Sequence, residues 1–304
     1  MIIRLAIVTC VCFLTMSVTR ADDGPAIAAI EKAGAVVTRD DARKDRPIVL
    51  VTYLLRLVTD DGIRALKEIE ELPAIQFVGS GDTELTASTI RALQGKKSLK
   101  RLSIAFAKVS DESAEILGTL KSLESLDLQK QIEMSPQGFD EILRLTNLKE
   151  LTISGRLVND EVLEDLAKIA GLKSLTIESV FVTDDGIASL KRLKNLRTLR
   201  IYLGSNVTSA GVRQLADLRL TNLEITYLDV NNNKLKDLRI LSGLKTLRMI
   251  SAVNVTNDGI PFLAELKELK ELDLSDATLT NAGIKDLKSA LPSCNVVIDA
   301  RKRD

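Results

Sequence analysis

The side chains of this sequence best suited to chemistry recur at a nearly fixed interval. They are Asp127, Arg200, Glu224, Arg248 and Asp273, with Glu178, Tyr202 and Glu271 beside them. Arginine and tyrosine carry a large share of the binding energy in protein interfaces, so the set reads as a docking strip for a protein. The alternation of sign from Arg200 to Asp273 has a second reading, a ladder of exposed ion pairs that satisfies itself, each pair worth about 0–1 kcal/mol. Glu271 and Asp273 stand two residues apart and share a strand face, as a pair of glycosidase carboxylates would. One such pair on an open sheet, with no pocket implied, makes no enzyme. Asp60-Asp61 and Asp184-Asp185 suggest calcium, but the alternating acids and final glutamate of a calcium loop are missing. Their recurrence at helix starts points to structure instead.

The remaining chemistry is excluded by composition. The 304 residues include no histidine, which removes Ser-His-Asp and Cys-His catalysis, histidine-ligated zinc and the commonest general base. Of three cysteines, Cys10 and Cys12 lie in a leader, which leaves Cys294 and no intramolecular disulfide. No phosphate-cradling glycine loop is present. No catalytic residue, cofactor or metal is expected. Lysine plus arginine equals aspartate plus glutamate at 42 each, and no basic run occurs, which argues against nucleic acid and against docking on an anionic membrane.

The strip owes its spacing to an internal repeat. A block of about 24 residues recurs ten times from Ile48 to Leu291, and its clearest copy is Leu172-Lys-Ser-Leu175-Thr-Ile177 followed by Val182-Thr-Asp-Asp-Gly-Ile187. A period in this range marks a solenoid, whose units bury their apolar faces against one another. The first half of each block alternates apolar and polar as a strand does; the second carries apolar residues at helical spacing. With aromatic residues at 3% and no tryptophan, leucine, isoleucine and valine must supply the core. The first, fourth and sixth positions of each block are expected to point inward and the third, fifth and seventh to face the open side of a parallel sheet. The fifth-position column then reads Thr52, Gln76, Ser103, Asp127, Thr152, Thr176, Arg200, Glu224, Arg248 and Asp273.

Helix starts carry their own signals. Thr59, Ser110, Ser135, Thr183, Thr208, Thr256 and Thr280 occupy one equivalent position and can accept hydrogen bonds from free backbone donors. Asp60, Asp111 and Asp184 follow directly, and Asp258 one place later, where they favour the positive end of the helix dipole. Two blocks are irregular. The second holds an insertion at Gly79-Ser-Gly-Asp-Thr83, and the eighth reads Asn231-Asn-Asn-Lys234 with Val230, Leu235 and Leu238 keeping its apolar frame. Cys294 is expected at an inward position of the last strand, as an inert thiol. Leu50 and Leu54 are expected on the open face, covered by the N-terminal segment.

Residues 1–21 read as a secretory signal: Arg4, an apolar stretch from Leu5 to Val18, and Thr19-Arg20-Ala21 before Asp22. Residues 22–47 form a capping segment and linker, with a short helix over Pro25–Ala33 and a β-prone run over Ala35–Thr38. Residues 48–290 hold the ten repeats, and 291–304 a last strand and tail.

The pattern L-x-x-L-x-L followed by V-T-D-x-G-L resembles the leucine-rich repeat family, and within it the ribonuclease-inhibitor-like subclass with helices on the convex side. Leader, small cap and Val-Thr-Asp-x-Gly repeats together are similar to exported repeat proteins of bacteria. The resemblance implies an α/β leucine-rich-repeat solenoid, with a curved parallel sheet on the concave side. The cysteine-containing subclass is set apart, because its cysteine or asparagine position reads Ala107, Gln131, Arg156 and Val180 here. The expected function is an exported, non-enzymatic module, secreted or held in the periplasm or cell envelope, that recognises a protein through its concave sheet. Nucleic acid and, once the leader is removed, membrane are not expected partners. A cell-wall or polysaccharide ligand is the alternative, weakened by the lack of concave aromatics other than Tyr202; a structural, self-associating role is another.

Overall fold

The computed structural model describes residues 24–129, 134–156, 158–203, 206–226 and 231–298. The expected leader and Val230 lie outside them. The strands are β1 (Ala35–Arg39), β2 (Ile48–Leu54), β3 (Ala74–Val78), β4 (Arg101–Ala105), β5 (Ser125–Gln129), β6 (Glu150–Ser154), β7 (Ser174–Ser179), β8 (Thr198–Leu203), β9 (Asn222–Thr226), β10 (Thr246–Ile250), β11 (Glu271–Leu274) and β12 (Asn295–Val297). The helices between them are α1 (Gly24–Lys32), α2 (Asp60–Glu68), α3 (Ala87–Arg91), α4 (Asp111–Leu117), α5 (Pro136–Ile142), α6 (Asp160–Leu166), α7 (Asp184–Ser189), α8 (Ser209–Gln214), α9 (Asn232–Leu238), α10 (Ile260–Leu263) and α11 (Asn281–Ala290).

All twelve strands join one sheet in strict chain order, β1 antiparallel to β2 and the rest parallel. The apolar pattern sets the register. Leu102, Leu126, Leu151, Leu175, Leu199, Leu223, Leu247 and Leu272 are successive Cα partners. All of them are buried, and a slip of one residue would turn a whole strand's leucines to solvent. Helices this short are not stable alone in water, so their order comes from packing Leu163, Leu166, Ile187 and their equivalents onto the back of the sheet. Tyr53 and Phe77, fully buried, stack with ring centroids 5.8 Å apart in the first layers.

The helix starts do more than cap. Thr59, Ser135, Thr183, Thr208, Thr256 and Thr280 each accept a backbone N–H of their own helix, and Thr86, Asn159 and Asn231 serve the same way without the V-T-D signature. Ser110 departs from expectation: it makes no cap bond, and its hydroxyl turns to Ser113. The acid after the cap reaches into the next repeat. Asp111 accepts both the backbone N–H (2.8 Å) and the hydroxyl (2.7 Å) of Ser135. Asp160 does the same for Thr183 and Asp184 for Thr208, while Asn232 and Asn257 grip Thr256 and Thr280 with one accepted and one donated bond.

This clasp explains the glycine of the motif. A β-carbon at Gly138, Gly186, Gly211, Gly259 or Gly283 would run into the clasping side chain of the preceding repeat, Asp111, Asp160, Asp184, Asn232 and Asn257 respectively. Where the preceding helix begins with Ala87, Pro136 or Ser209, the equivalent position is Ser113, Val162 or Lys234. From α4 onward, therefore, acid or amide in one repeat and glycine in the next go together, whereas Thr89 stands in that position after Asp60.

Both irregular blocks are tied into the frame. The insertion fastens to the next repeat through Gly79 N–H to Ala105 O and Gly81 N–H to Phe106 O, each 2.8 Å. In the eighth block Asn231 caps α9 and Asn232 supplies the clasp. Two expectations are corrected. The N-terminal segment does not cover Leu50 and Leu54: β1 extends the sheet at its edge, Thr38 opposite Leu50 and Val36 opposite Thr52, which leaves Val36 61% exposed and both leucines half-exposed. Cys294 does not lie within the last strand: Val296, 24 residues after Leu272, is its Cα partner, while Leu291 closes α11, so Cys294 precedes β12, partly buried against the core.

Candidate protein-binding surface

The expected column is formed as read. Thr152, Thr176, Arg200, Glu224, Arg248 and Asp273 are Cα partners across β6 to β11, and Val297 extends the row onto β12. The charges pair, though not simply down the column. Arg200 Nε lies 3.5 Å from Glu224 Oε2, and the Tyr202 hydroxyl donates to Glu224 Oε1 at 2.7 Å. Arg248 turns away from Glu224 and Asp273 to donate to Glu271 Oε1 at 2.6 Å. Asp273 accepts from Ser275 Oγ at 2.8 Å. Burial, then the bond to Glu224, pushes the Tyr202 phenol well above its ordinary range, so it remains a donor. Glu271 raises the Arg248 guanidinium's already high pKa further.

Glu224, Arg248, Arg200 and Glu271 line a depression of about 140 Å³ in the sheet face. Thr198, Asn222 and Thr246 line it too, third-position residues that the sequence reading passed over although they stand in one register. The side chains of Arg200 and Arg248 are each 44% exposed and that of Glu224 14%, so the two guanidiniums stand forward of a recessed carboxylate. Glu178 is exposed on β7 opposite Tyr202.

Asp127 stands in the same column, Cα partner of Ser103 and Thr152 and three strands before Arg200; its Oδ2 accepts from Ser103 (3.3 Å) and Gln129 (2.8 Å) and its Oδ1 is buried without a partner among the described residues. Burial pushes its carboxyl above the usual range. Seven of the eight candidates thus stand along β7 to β11, and Asp127 stands farther along the same column on β5. Glu271 and Asp273 are each engaged by a different partner and are not poised as an acid–base pair. Among the described residues no group of three or more histidine, cysteine or acidic side chains could hold a metal, and no helix is long and apolar enough to cross a membrane.

No protein-family model and no curated protein matches the sequence. Among solved structures, an internalin from Listeria monocytogenes superposes with a TM-score of 0.55 at 18% identity, over 92% of this chain and 88% of that one. An internalin C2 from the same species gives 0.46 at 20% identity, over 90% and 92%. At such identity the first likeness speaks to the fold alone. With the single sheet in chain order and the helices behind it, it establishes that this chain folds as an α/β leucine-rich-repeat solenoid.

Proposed function

We propose that the chain is an exported, non-enzymatic module that recognises a protein partner through its concave sheet, at the depression framed by Arg200, Glu224, Arg248 and Glu271, with Tyr202 beside it. The supporting observation is the preorganisation of that frame. Tyr202 and Arg200 hold Glu224, Glu271 holds Arg248, and both guanidiniums still present their outer faces to solvent. Side chains already fixed lose little entropy on binding, and arginine and tyrosine at the centre of a patch are the types most often responsible for affinity. Solenoids of stacked repeats use such extended faces for recognition. Export rests on the leader read in residues 1–21.

The test is capture of envelope and extracellular proteins of the source organism by the purified chain and by Arg200→Glu/Arg248→Glu. A protein held by the unaltered chain and lost by the double variant, with thermal unfolding unchanged, supports the reading. Undiminished capture by the variant would sink it.

A further inference from the structure

The sequence has no basic run, yet the fold makes a basic row. The residue just before each strand accepts, through its carbonyl, the backbone N–H of its counterpart in the next repeat, without a break from Pro73 through Lys100, Glu124, Lys149, Lys173, Arg197, Thr221 and Lys245 to Lys270. Every such bond measures 2.7–2.9 Å. Between β4 and β11, therefore, six of the eight stacked positions are lysine or arginine and one, Glu124, is acidic. At about 4.8 Å per strand the row is about 34 Å long.

Its charge is largely unneutralised. Glu124 serves Lys149 (2.5 Å) and Lys100 (3.7 Å) together, and this double contact, the Lys149 hydrogen bond first, holds its carboxyl below the usual range. Beyond it, Lys173, Lys245 and Lys270 are exposed, and their side chains make no hydrogen bond or ion pair with a described residue. The Arg197 guanidinium donates to the carbonyls of Lys194 and Leu196, which leaves its charge intact. The helix dipole does not call for these residues. Lys173 comes seven residues after the end of α6, and the dipole's influence fades within the last turn.

We propose that this edge binds a linear polyanion other than nucleic acid, a polymer carrying a phosphate or carboxylate in each unit. Like charges about 5 Å apart repel, and a single extended anionic chain laid along the row relieves every repulsion at once while releasing its counterions. Lysines act as point charges, suited to such a chain and not to bidentate readout of one group. The exposed aromatics Phe106 and Phe181 lie in the loops after β4 and β7, at the opposite ends of the strands. The basic edge thus lacks the stacking platforms of a single-strand nucleic-acid site and the apolar anchors of a membrane-surface helix.

Long-chain inorganic polyphosphate is the probe, titrated into the full chain by calorimetry from low to physiological salt. The comparison proteins are Lys173→Gln/Lys245→Gln/Lys270→Gln, the same three sites changed to Arg, and Arg200→Glu/Arg248→Glu. We expect binding that weakens as salt rises, a loss of about tenfold or more in the glutamine variant, retention in the arginine variant, and a smaller loss in the concave-face variant that fades at physiological salt. The glutamine variant should melt with the unaltered chain, because none of the three lysines has a partner to lose. Polyphosphate binding that is absent at low salt, or equal in the glutamine variant, would overturn the proposal. So would a loss in the concave-face variant that equals the glutamine variant's at physiological salt. Tighter binding to phosphatidylglycerol vesicles or to oligo-dT than to polyphosphate would replace the polyanion with a membrane or a nucleic acid.

Discussion

The Asp184 carboxylate lies where a β-carbon at Gly211 would have to go, while its two oxygens hold the backbone N–H and hydroxyl of Thr208. The two residues belong to successive repeats, so the glycine of one unit is required by the acid of the unit before it. A pairwise rule of this kind couples neighbours in a solenoid whose stability is otherwise a sum of units and interfaces.

The coupling is measurable as a cycle. Gly211→Ala should destabilise the chain by about 1–3 kcal/mol, because a methyl group is forced against a fixed carboxylate. Asp184→Ala should cost about 1–2 kcal/mol through the lost hydrogen bonds. The double variant should cost clearly less than the sum, since the alanine at 184 leaves room for the methyl at 211. Additive urea midpoints would count against the clasp.

Two helix starts that look alike in sequence should respond differently. Thr208→Ala removes a cap bond to Ala210 N–H and the hydroxyl gripped by Asp184, and is expected to cost about 1–2 kcal/mol. Ser110→Ala removes neither kind of bond and should fall within about 0.5 kcal/mol. Equal losses in thermal melts would mean that Ser110 caps in solution.

Asp127 gives a pH signature. Its folded pKa is raised by burial, so its contribution to stability is present at low pH and is lost as pH rises through the folded pKa. Asp127→Asn should therefore stabilise the chain at pH 7, on the order of 1 kcal/mol, since the amide keeps an acceptor for Ser103 and Gln129 without a buried charge. The gain should shrink as pH falls through the carboxylate range. Destabilisation at pH 7 would contradict the assignment.

Cys294 should be a slow thiol despite its half-exposure. Burial, with Glu271 nearby, pushes its pKa above the ordinary value, so little thiolate is present at neutral pH. Alkylation by iodoacetamide is expected to be several-fold slower than for the urea-unfolded chain at pH 7.5, and to accelerate as pH rises toward 10. Reaction at the unfolded rate would show that the last layer opens readily.

The Tyr202 hydroxyl bridges β8 to Glu224 on β9, and Tyr202→Phe leaves that recessed carboxylate with Arg200 alone. A loss of about 0.5–1.5 kcal/mol in unfolding free energy is expected, the ordinary net value of one hydrogen bond. No loss would mean that Arg200 alone suffices to hold Glu224.

The sequence by itself determined the strand register and the faces, because period-two leucines within a 24-residue block admit one alignment that buries them all. It thereby placed Arg200, Glu224, Arg248 and Asp273 in one column, and it marked six of the helix caps correctly. Tertiary structure decided what those residues touch. Arg248 chose Glu271 over Asp273, because side-chain pairing depends on distances between strands that spacing along the chain does not carry. The clasp of Asp184 on the next repeat escaped notice for the same reason: an acid after a capping threonine looks like a dipole partner until the neighbouring helix is stacked beside it. Cys294 was misplaced because Leu291, which closes α11, reads as a first-position leucine, whereas β12 keeps the 24-residue period after β11. The basic row was illegible in a chain whose charges sum to zero, since only stacking brings Lys149, Lys173 and Arg197, each separated by a whole repeat, within about 5 Å along one edge.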